Sequence, residues 1–303
     1  MAAGMSETPT AGRCILVGDV MMDVTAIIDT DIAYASDTPA HISLQPGGVA
    51  ANTAAWMAVD GHPVTLIGCV GDDPFGHAIR DDLARLGVDV HLQQSAILPT
   101  GTCVVVVDRR RERTMFPDSG ANGALSLDVA RELITADSHV HVSGYTILNP
   151  ATRSVGLEVL RMAVAVGATR SLDPASAAPL RAQLPLFLDL LPLVHVLLAN
   201  EDEAAVLSGR EDPHDAMDAL ADLVPVVVVK IGARGVLARD ALSTVAAPAH
   251  HQDVVDTTGA GDAFTAGFLP AWLAGSPLAA CVEEGQRLAM AAVGRVGASP
   301  LVR

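Results

Sequence analysis

Aromatic side chains are scarce: five Phe, two Tyr and two Trp serve a chain of 303 residues. A ligand that needs a flat ring to stack on finds few candidates here. Basic residues are also short, 19 against 35 acidic ones, for a formal net charge of −16. That balance excludes binding nucleic acid over a broad surface, because a phosphate backbone demands clustered Lys and Arg. An anionic ligand must instead be met locally, by backbone dipoles, a metal ion or a few placed cations. Lysine occurs once, at Lys230; the other 18 basic residues are arginines. The four cysteines, Cys14, Cys69, Cys103 and Cys281, are far apart and lack the close spacing of a zinc site. They are expected to be reduced, as in a cytoplasmic protein. Half of the residues are hydrophobic, yet no stretch offers about 18 uninterrupted apolar residues, so no partnership with a membrane is expected. Residues 1–12 lack a basic start followed by an apolar run and read as a disordered tail, not a signal peptide.

What is present is an alternation of β-rich and helical runs. Arg13–Gly18, Pro63–Val70, Ser138–Val142, Thr169–Asp173, Leu193–Leu198 and Pro225–Ile231 read as strands. Ala50–Val59, Phe75–Leu86 and the stretches 151–166, 202–208, 213–223 and 262–274 read as helices. Such alternation predicts an α/β domain with a mostly parallel sheet covered on both faces, and 303 residues suffice to bury its core. Ligands in such sheets sit beyond the carboxyl ends of the strands. Two stretches break the pattern: Val24–Leu44 is strand-like with no helix after it, and Thr102–Asp108 with Thr114–Pro117 suggests a hairpin. Together, about 24–46 and 98–118, they predict a small β lid over the sheet edge. The basic hairpin turn, Arg109, Arg110, Arg111 and Arg113, reads as solvated rather than ligand-binding. His139 and His141 alternate along one strand face with no third ligand in reach and read as structural.

The richest segment is Asp256-Thr257-Thr258-Gly259-Ala260-Gly261-Asp262, followed by an apolar helix. Small residues at a helix start let backbone N–H groups approach an anion, and the helix dipole favours negative charge there. Asp262, in the first turn, would point at the same spot. Phosphoryl transfer needs that pairing: donors for the charge on the moving group and a base for the attacking hydroxyl.

These motifs, in their order, resemble the PfkB carbohydrate kinase family, also called ribokinase-like, from about residue 13 to 300. The resemblance is carried by Gly47-Gly48-Val49-Ala50-Ala51-Asn52 and by Asp256–Asp262, with Val70–Gly76, Asn200–Glu203 and Val229–Gly235 between them. It implies a three-layer α/β sandwich with a central mostly parallel sheet and a small β lid, residues 13–303 forming the kinase domain. It implies ATP and Mg2+ as cofactors, with K+ as a further ion. Asp262 would be the general base, and the N–H groups of Gly259, Ala260 and Gly261 the anion hole. Asp23 would grip vicinal sugar hydroxyls, which suits a carboxylate, with Gly47, Gly48 and Asn52 on the same substrate. Asn200 and Glu203 would organise Mg2+ and phosphates, Glu203 through water; Asn200 equally suits a helix cap. Gly232 and Gly235 resemble the nucleotide-side loop. Lys230 would face the phosphates or end its strand in solvent. A monovalent cation would lie between Asp256, Thr258 and the C-terminal loop at Arg295 and Ser299, although Asp256 also suits a plain turn. A homodimer through the lid is expected.

The acceptor is less legible. Ribokinases are similar at Gly120-Ala121-Asn122, but they carry Lys where this chain has Val49, and an acidic residue where it reads Val142-Ser143-Gly144-Tyr145. A small sugar or sugar acid is expected; the alternatives are a nucleoside kinase of the same family and a non-catalytic sugar- or nucleotide-binding relative. A nucleoside needs a flat surface for its base, and among the few aromatic residues only Phe116 and Tyr145 are placed near the lid and the central loop, a scarcity that favours a sugar. A Rossmann dehydrogenase is excluded, since no Gly-x-Gly-x-x-Gly turn follows the first strand.

Overall fold

The structure, a computed structural model, describes residues 13–110, 112–250, 254–295 and 297–300. The tail expected over 1–12 lies outside the described residues, as do Arg111 of the basic turn and Val296 of the C-terminal loop. The strands in chain order are β1 Cys14–Val17, β2 Met21–Ile27, β3 His41–Gly47, β4 Val64–Gly71, β5 Asp89–Ser95, β6 Gly101–Val107, β7 Arg113–Asp118, β8 His139–Ser143, β9 Thr169–Asp173, β10 Val196–Asn200, β11 Val226–Lys230, β12 Val236–Arg239 and β13 Thr244–Ala247. Nine of them form one sheet in the order β13-β12-β11-β10-β9-β8-β1-β4-β5. It is parallel from β11 to β5, and antiparallel where β12 and β13 are added at the edge.

Strand parity explains why both faces are covered. Successive side chains on a strand point to opposite faces, and here both sets are apolar. Cys14 and Leu16 enter one buried cluster while Ile15 and Val17 enter the other, and Val226 and Val228 oppose Val227 and Val229 in the same way. One face is covered by the helices Val49–Val59, Pro74–Arg85, Ala260–Leu273 and Leu278–Val293, the other chiefly by Arg153–Val166, Glu201–Ser208 and Pro213–Ala221. The strand order reverses beside β1, so the strand ends that meet there open a crevice, the place where sheets of this type bind ligands.

The second sheet has the order β3-β2-β6-β7. Its β2–β3 and β6–β7 pairs are antiparallel, and β2 runs parallel to β6. Cys103, Val105 and Val107 form its own small core. Val24–Leu44 is thus two strands joined by an irregular 28–40 segment.

One reading needs correction, and several elements were not anticipated. The strand expected from Leu193 starts at Val196, because Leu191–Leu193 is a turn of 3-10 helix. The helix Leu278–Val293 and strand β5 were not anticipated; the alternation in β5 is short, with only Val90 and Leu92 apolar before Gln94 breaks it. The segment 177–190 folds as two short helices although prolines interrupt it, since Pro185 lies in a first turn, where its missing N–H costs nothing. The histidines are structural: His139 shares hydrogen bonds with Thr169 at 2.9 Å and Ser171 at 2.8 Å, and His141 with Ser171 at 2.7 Å. All four cysteines are free and buried. No helix among the described residues is long and apolar enough to cross a membrane.

Candidate active site

The segment Asp256–Asp262 folds as a tight turn into a helix. Gly259 sits in the left-handed region at φ 75° and begins the helix Ala260–Leu273 without a side-chain cap. A Cβ on Gly259 would lie 2.6 Å from backbone atoms of Ala298, so only glycine lets this loop press against the C-terminal loop. The Ala263 N–H is the first to reach back inside the helix, to the Gly259 carbonyl at 2.9 Å, and the Ala260 N–H makes a long 3.3 Å bond to Thr257. The N–H groups of Gly261 and Asp262 precede the helical ladder and point out of its positive end. Such a helix start is chemically suited to an anion.

Asp262 stands at this helix end. Asn52 Nδ2 donates to Asp262 Oδ2 at 2.9 Å, bridging the two signature segments. Asn52 therefore holds the carboxylate, and its own Oδ1 is buried without a protein partner. Burial pushes the Asp262 carboxyl well above the usual range; the Asn52 hydrogen bond and Lys230 pull it back, while Asp173 and Asp19 raise it further. A carboxylate raised towards neutrality accepts a hydroxyl proton better than an ordinary one.

Asp23, on β2 of the lid, lies against the glycine pair: a Cβ on Gly47 would overlap its carboxyl at 2.4 Å. Burial, and then Asp19, push Asp23 up to about 6. Gly48, at φ 95°, starts the helix Val49–Val59 beside the Asp19 carbonyl. Asp19 accepts from the Val49 N–H at 2.9 Å and from the Ser143 hydroxyl at 2.8 Å. It thereby ties the ends of β1 and β8 to the helix that carries Asn52.

Lys230 ends β11 pointing inward, not into solvent. Its Nζ donates to Asp173 Oδ2 at 3.1 Å, and a methyl placed on Gly261 would come within 3.2 Å of Nζ. The ammonium thus stands beside Gly261 at the start of the helix Ala260–Leu273. Burial alone would lower its pKa, but Asp173, Glu203 and Asp262 together hold it above the ordinary lysine value. Asp173, at the end of β9, is fixed by the Ala175 N–H at 2.8 Å, and Ala175 takes a left-handed φ of 77° that costs a non-glycine residue about 1 kcal/mol or more. Sequence reasoning missed both Asp173 and Asp19. The signal lay in their place, an acidic residue at or just past the end of an apolar strand.

Asn200 and Glu203 form a complete capping box. Asn200 Oδ1 accepts from the Glu203 N–H at 2.9 Å, Glu203 Oε2 from the Asn200 N–H at 2.9 Å, and Glu203 Oε1 from Asn200 Nδ2 at 2.7 Å. Burial and Asp173 push Glu203 up to about 7, against the pull of Lys230. Among the described residues no group of three or more His, Cys, Asp and Glu could hold a metal directly. A carboxylate whose oxygens already accept hydrogen bonds fits a hydrated Mg2+ held through water.

Two cavities flank this centre. One, of about 690 Å3, is lined by Asn200, Lys230, Gly232, Gly235 and Gly261 on its polar side and by Phe264 and Met290 on its floor. The floor comes largely from the unanticipated helix Leu278–Val293, so sequence reasoning also missed Met290. The other, of about 380 Å3, lies between the lid and the Asp256 loop and is lined by Asp23, Gln45, Arg113, Asp256 and Thr258. Arg295 stacks over Trp56 at 5.2 Å, and Ser299 is buried. Arg113 corrects the reading of the basic turn as wholly solvated. Its guanidinium pairs with Asp256 beneath the lid, while Arg109 keeps to an exposed pair with Asp31 at 3.2 Å.

Residues 12–302 match the model of the pfkB family of carbohydrate kinases. The chain is 33 % identical over 294 residues to the ATP-dependent ribose-1-phosphate kinase of Halopiger xanaduensis, covering 94 % of this chain and 93 % of that protein. Among solved structures, adenosine kinase from Sinorhizobium meliloti superposes with a TM-score of 0.84 at 27 % identity, covering 97 % of both chains. Ribokinase of Arabidopsis thaliana, complexed with ribose and ATP, gives 0.80 at 25 % identity over 95 % of both. With this family match and these relatives, the chain belongs to the pfkB carbohydrate kinase family and is a phosphotransferase acting on an alcohol group.

Proposed function

We propose that the protein transfers the γ-phosphoryl group of ATP to a hydroxyl of a small sugar or sugar derivative. The acceptor lies in the cavity beneath the lid, with Asp23 on its vicinal hydroxyls. Asp262 takes the proton of the attacking hydroxyl as the new O–P bond forms and the bond to the departing ADP oxygen breaks. The Gly261 and Asp262 N–H groups and the Lys230 ammonium meet the charge on the moving group. ATP occupies the larger cavity, its base over Phe264 and Met290. A hydrated Mg2+, when bound near Asn200 and Glu203, supplies charge neutralisation for the phosphates.

The observation that carries the choice of a sugar is the lid cavity, whose lining is polar and aliphatic with no aromatic ring. Phe116 pairs in register with Val104, whose neighbours Val105 and Val107 line that cavity, so Phe116 belongs to the opposite, outer face of the lid. Among the described residues that line the cavity, a nucleoside would find no ring to stack on. ADP release measured with pentoses, pentose phosphates, hexoses, keto-sugar acids and nucleosides tests this, with the best kcat/KM expected for a sugar or sugar phosphate. A nucleoside as preferred acceptor would overturn the reading.

Asp23→Ala should weaken the acceptor by roughly tenfold or more, the cost of losing hydrogen bonds to a charged group, and leave ATP unchanged. Calorimetric titration of both ligands separates the two. Because Asp23 is raised to about 6, its hydroxyl-binding carboxylate is protonated as pH falls through that value. Acceptor affinity should therefore decline below pH 6, and Asp23→Asn should abolish that dependence.

The outer face of the lid also supports a homodimer. Leu44, Val24, Val104 and Phe116 lie in one row across β3, β2, β6 and β7, with Leu44, Val104 and Phe116 exposed. Light scattering should give twice the chain mass, and Val104→Glu should give a monomer.

A further inference from the structure

Arg113 is the point where the lid touches the loop that makes the anion hole. It pairs in register with Val107 on the inner face of the lid, and its guanidinium meets Asp256 across the cavity that both residues line. The Asp256 carboxylate is otherwise fully engaged in shaping the loop. Oδ1 accepts from the Thr258 N–H at 2.7 Å and Oδ2 from the Gly297 N–H at 3.0 Å, with Arg113 adding to Oδ1. The backbone N–H groups of Val255 and Asp256 donate to the Val293 carbonyl at 2.8 Å and 3.2 Å. Asp256 thus joins the lid, the C-terminal loop and the turn that leads in three residues to Gly259. Only 9 % of Asp256 is exposed, so its charge needs a counter-charge inside the protein.

The monovalent cation expected from the family resemblance would need this same carboxylate. The donor set does not fit it well: an ion seated on Asp256 would lie beside a guanidinium already bound there, and like charges repel. The guanidinium is permanently charged and carries further N–H donors.

The geometry points to Arg113 as a positioning residue that supplies, from the lid, the positive charge that Asp256 requires, so that lid closure orders the anion-hole turn without a bound monovalent cation. This rests on the proposed role of the Gly261 and Asp262 N–H groups, at the end of that turn, in holding the transferred group. Two consequences follow from the placement. The open lid withdraws the charge and leaves the turn loosened, and the acceptor, which fills the cavity beneath the lid, favours the closed, charge-paired arrangement.

The test compares wild type, Arg113→Ala and Arg113→Lys in potassium, sodium and tetramethylammonium chlorides at matched ionic strength. Turnover is followed with the best acceptor, and thermal unfolding without any acceptor. Wild-type rates should agree within about twofold in all three salts, since no ion enters the site. Arg113→Ala should lose roughly ten- to a hundredfold in tetramethylammonium, the range for removing a charge-assisted hydrogen bond. It should recover at least severalfold in potassium or with millimolar guanidinium, and Arg113→Lys should retain most activity. Its melting temperature should rise in potassium relative to tetramethylammonium, while that of wild type should not. Strong potassium activation of the wild type overturns the assignment, as does full activity of Arg113→Ala in tetramethylammonium, or a loss that neither cation restores. The unfolding measurement needs no acceptor, so an error in the proposed substrate leaves it readable.

Discussion

Asp262→Asn is expected to lower kcat by roughly 10²–10⁴, the range for losing a general base, while ATP affinity stays nearly unchanged. Asn is the right probe because it keeps the shape of the side chain and its contact with Asn52 while giving up the basic oxygen. It leaves Gly261 and the helix start untouched, so the phosphate donors survive. The wild-type kcat profile should carry an acid limb above the ordinary carboxylate range, because burial raises Asp262 and only the ionised base accepts a proton. The variant should lose that limb. Rapid-quench measurement establishes whether the chemical step is being observed. If the variant then kept more than about a tenth of the wild-type rate, Asp262 would not be the base.

The parts of the site legible in the sequence are those whose chemistry is contiguous. Gly259, Ala260, Gly261 and Asp262 need only one turn and one helix start to form the proposed anion site and base, and Gly47 with Gly48 needs only a backbone that admits a close neighbour. The layered α/β fold was legible for a similar reason, since apolar runs such as Val226–Val229 are explicable only by a strand buried on both faces. What was hidden depends on strands meeting. Asp173 lies 57 residues before Lys230 in sequence and becomes its partner only because β9 and β11 flank β10 in one parallel sheet. Asp19 reads as a turn residue until Ser143 and Val49 are brought to it. Arg113 belongs to a run of arginines that looks uniformly solvated; as the first residue of β7, opposite Val107, it is turned inward by strand pairing, while Arg109 lies in the turn beyond β6 and stays out. The floor of the larger cavity was legible but overlooked: Leu278, Cys281, Val282, Leu288 and Ala292 recur at helical spacing along Leu278–Val293 and form its buried face. Asn200 and Glu203 show the converse, a motif with two physical readings, of which the capping box is now visible in full.

Lys230→Met is expected to cost about 10²–10³ in kcat, the loss found when one preorganised donor to a developing anion is removed. The ammonium lies beside Gly261, and no other lysine exists to replace it. The substitution has a second effect, because Asp173, Glu203 and Asp262 all lean on the same positive charge. Without it their mutual repulsion is unopposed, and a buried pair stripped of one partner costs on the order of 3–5 kcal/mol, an upper figure here since both side chains retain slight exposure. A lower rate could then reflect a damaged fold rather than a missing donor. The double variant Lys230→Met with Asp173→Asn separates the two. Removing the orphaned carboxylate should restore much of the melting temperature, while kcat stays as low as in Lys230→Met alone. A non-hydrolysable ATP analogue should bind wild type more tightly than ADP does, and this preference for the third phosphate should vanish in both variants. Recovery of kcat together with stability in the double variant would show that Lys230 serves only to balance charge in the core, and its place at the anion hole would carry no chemistry.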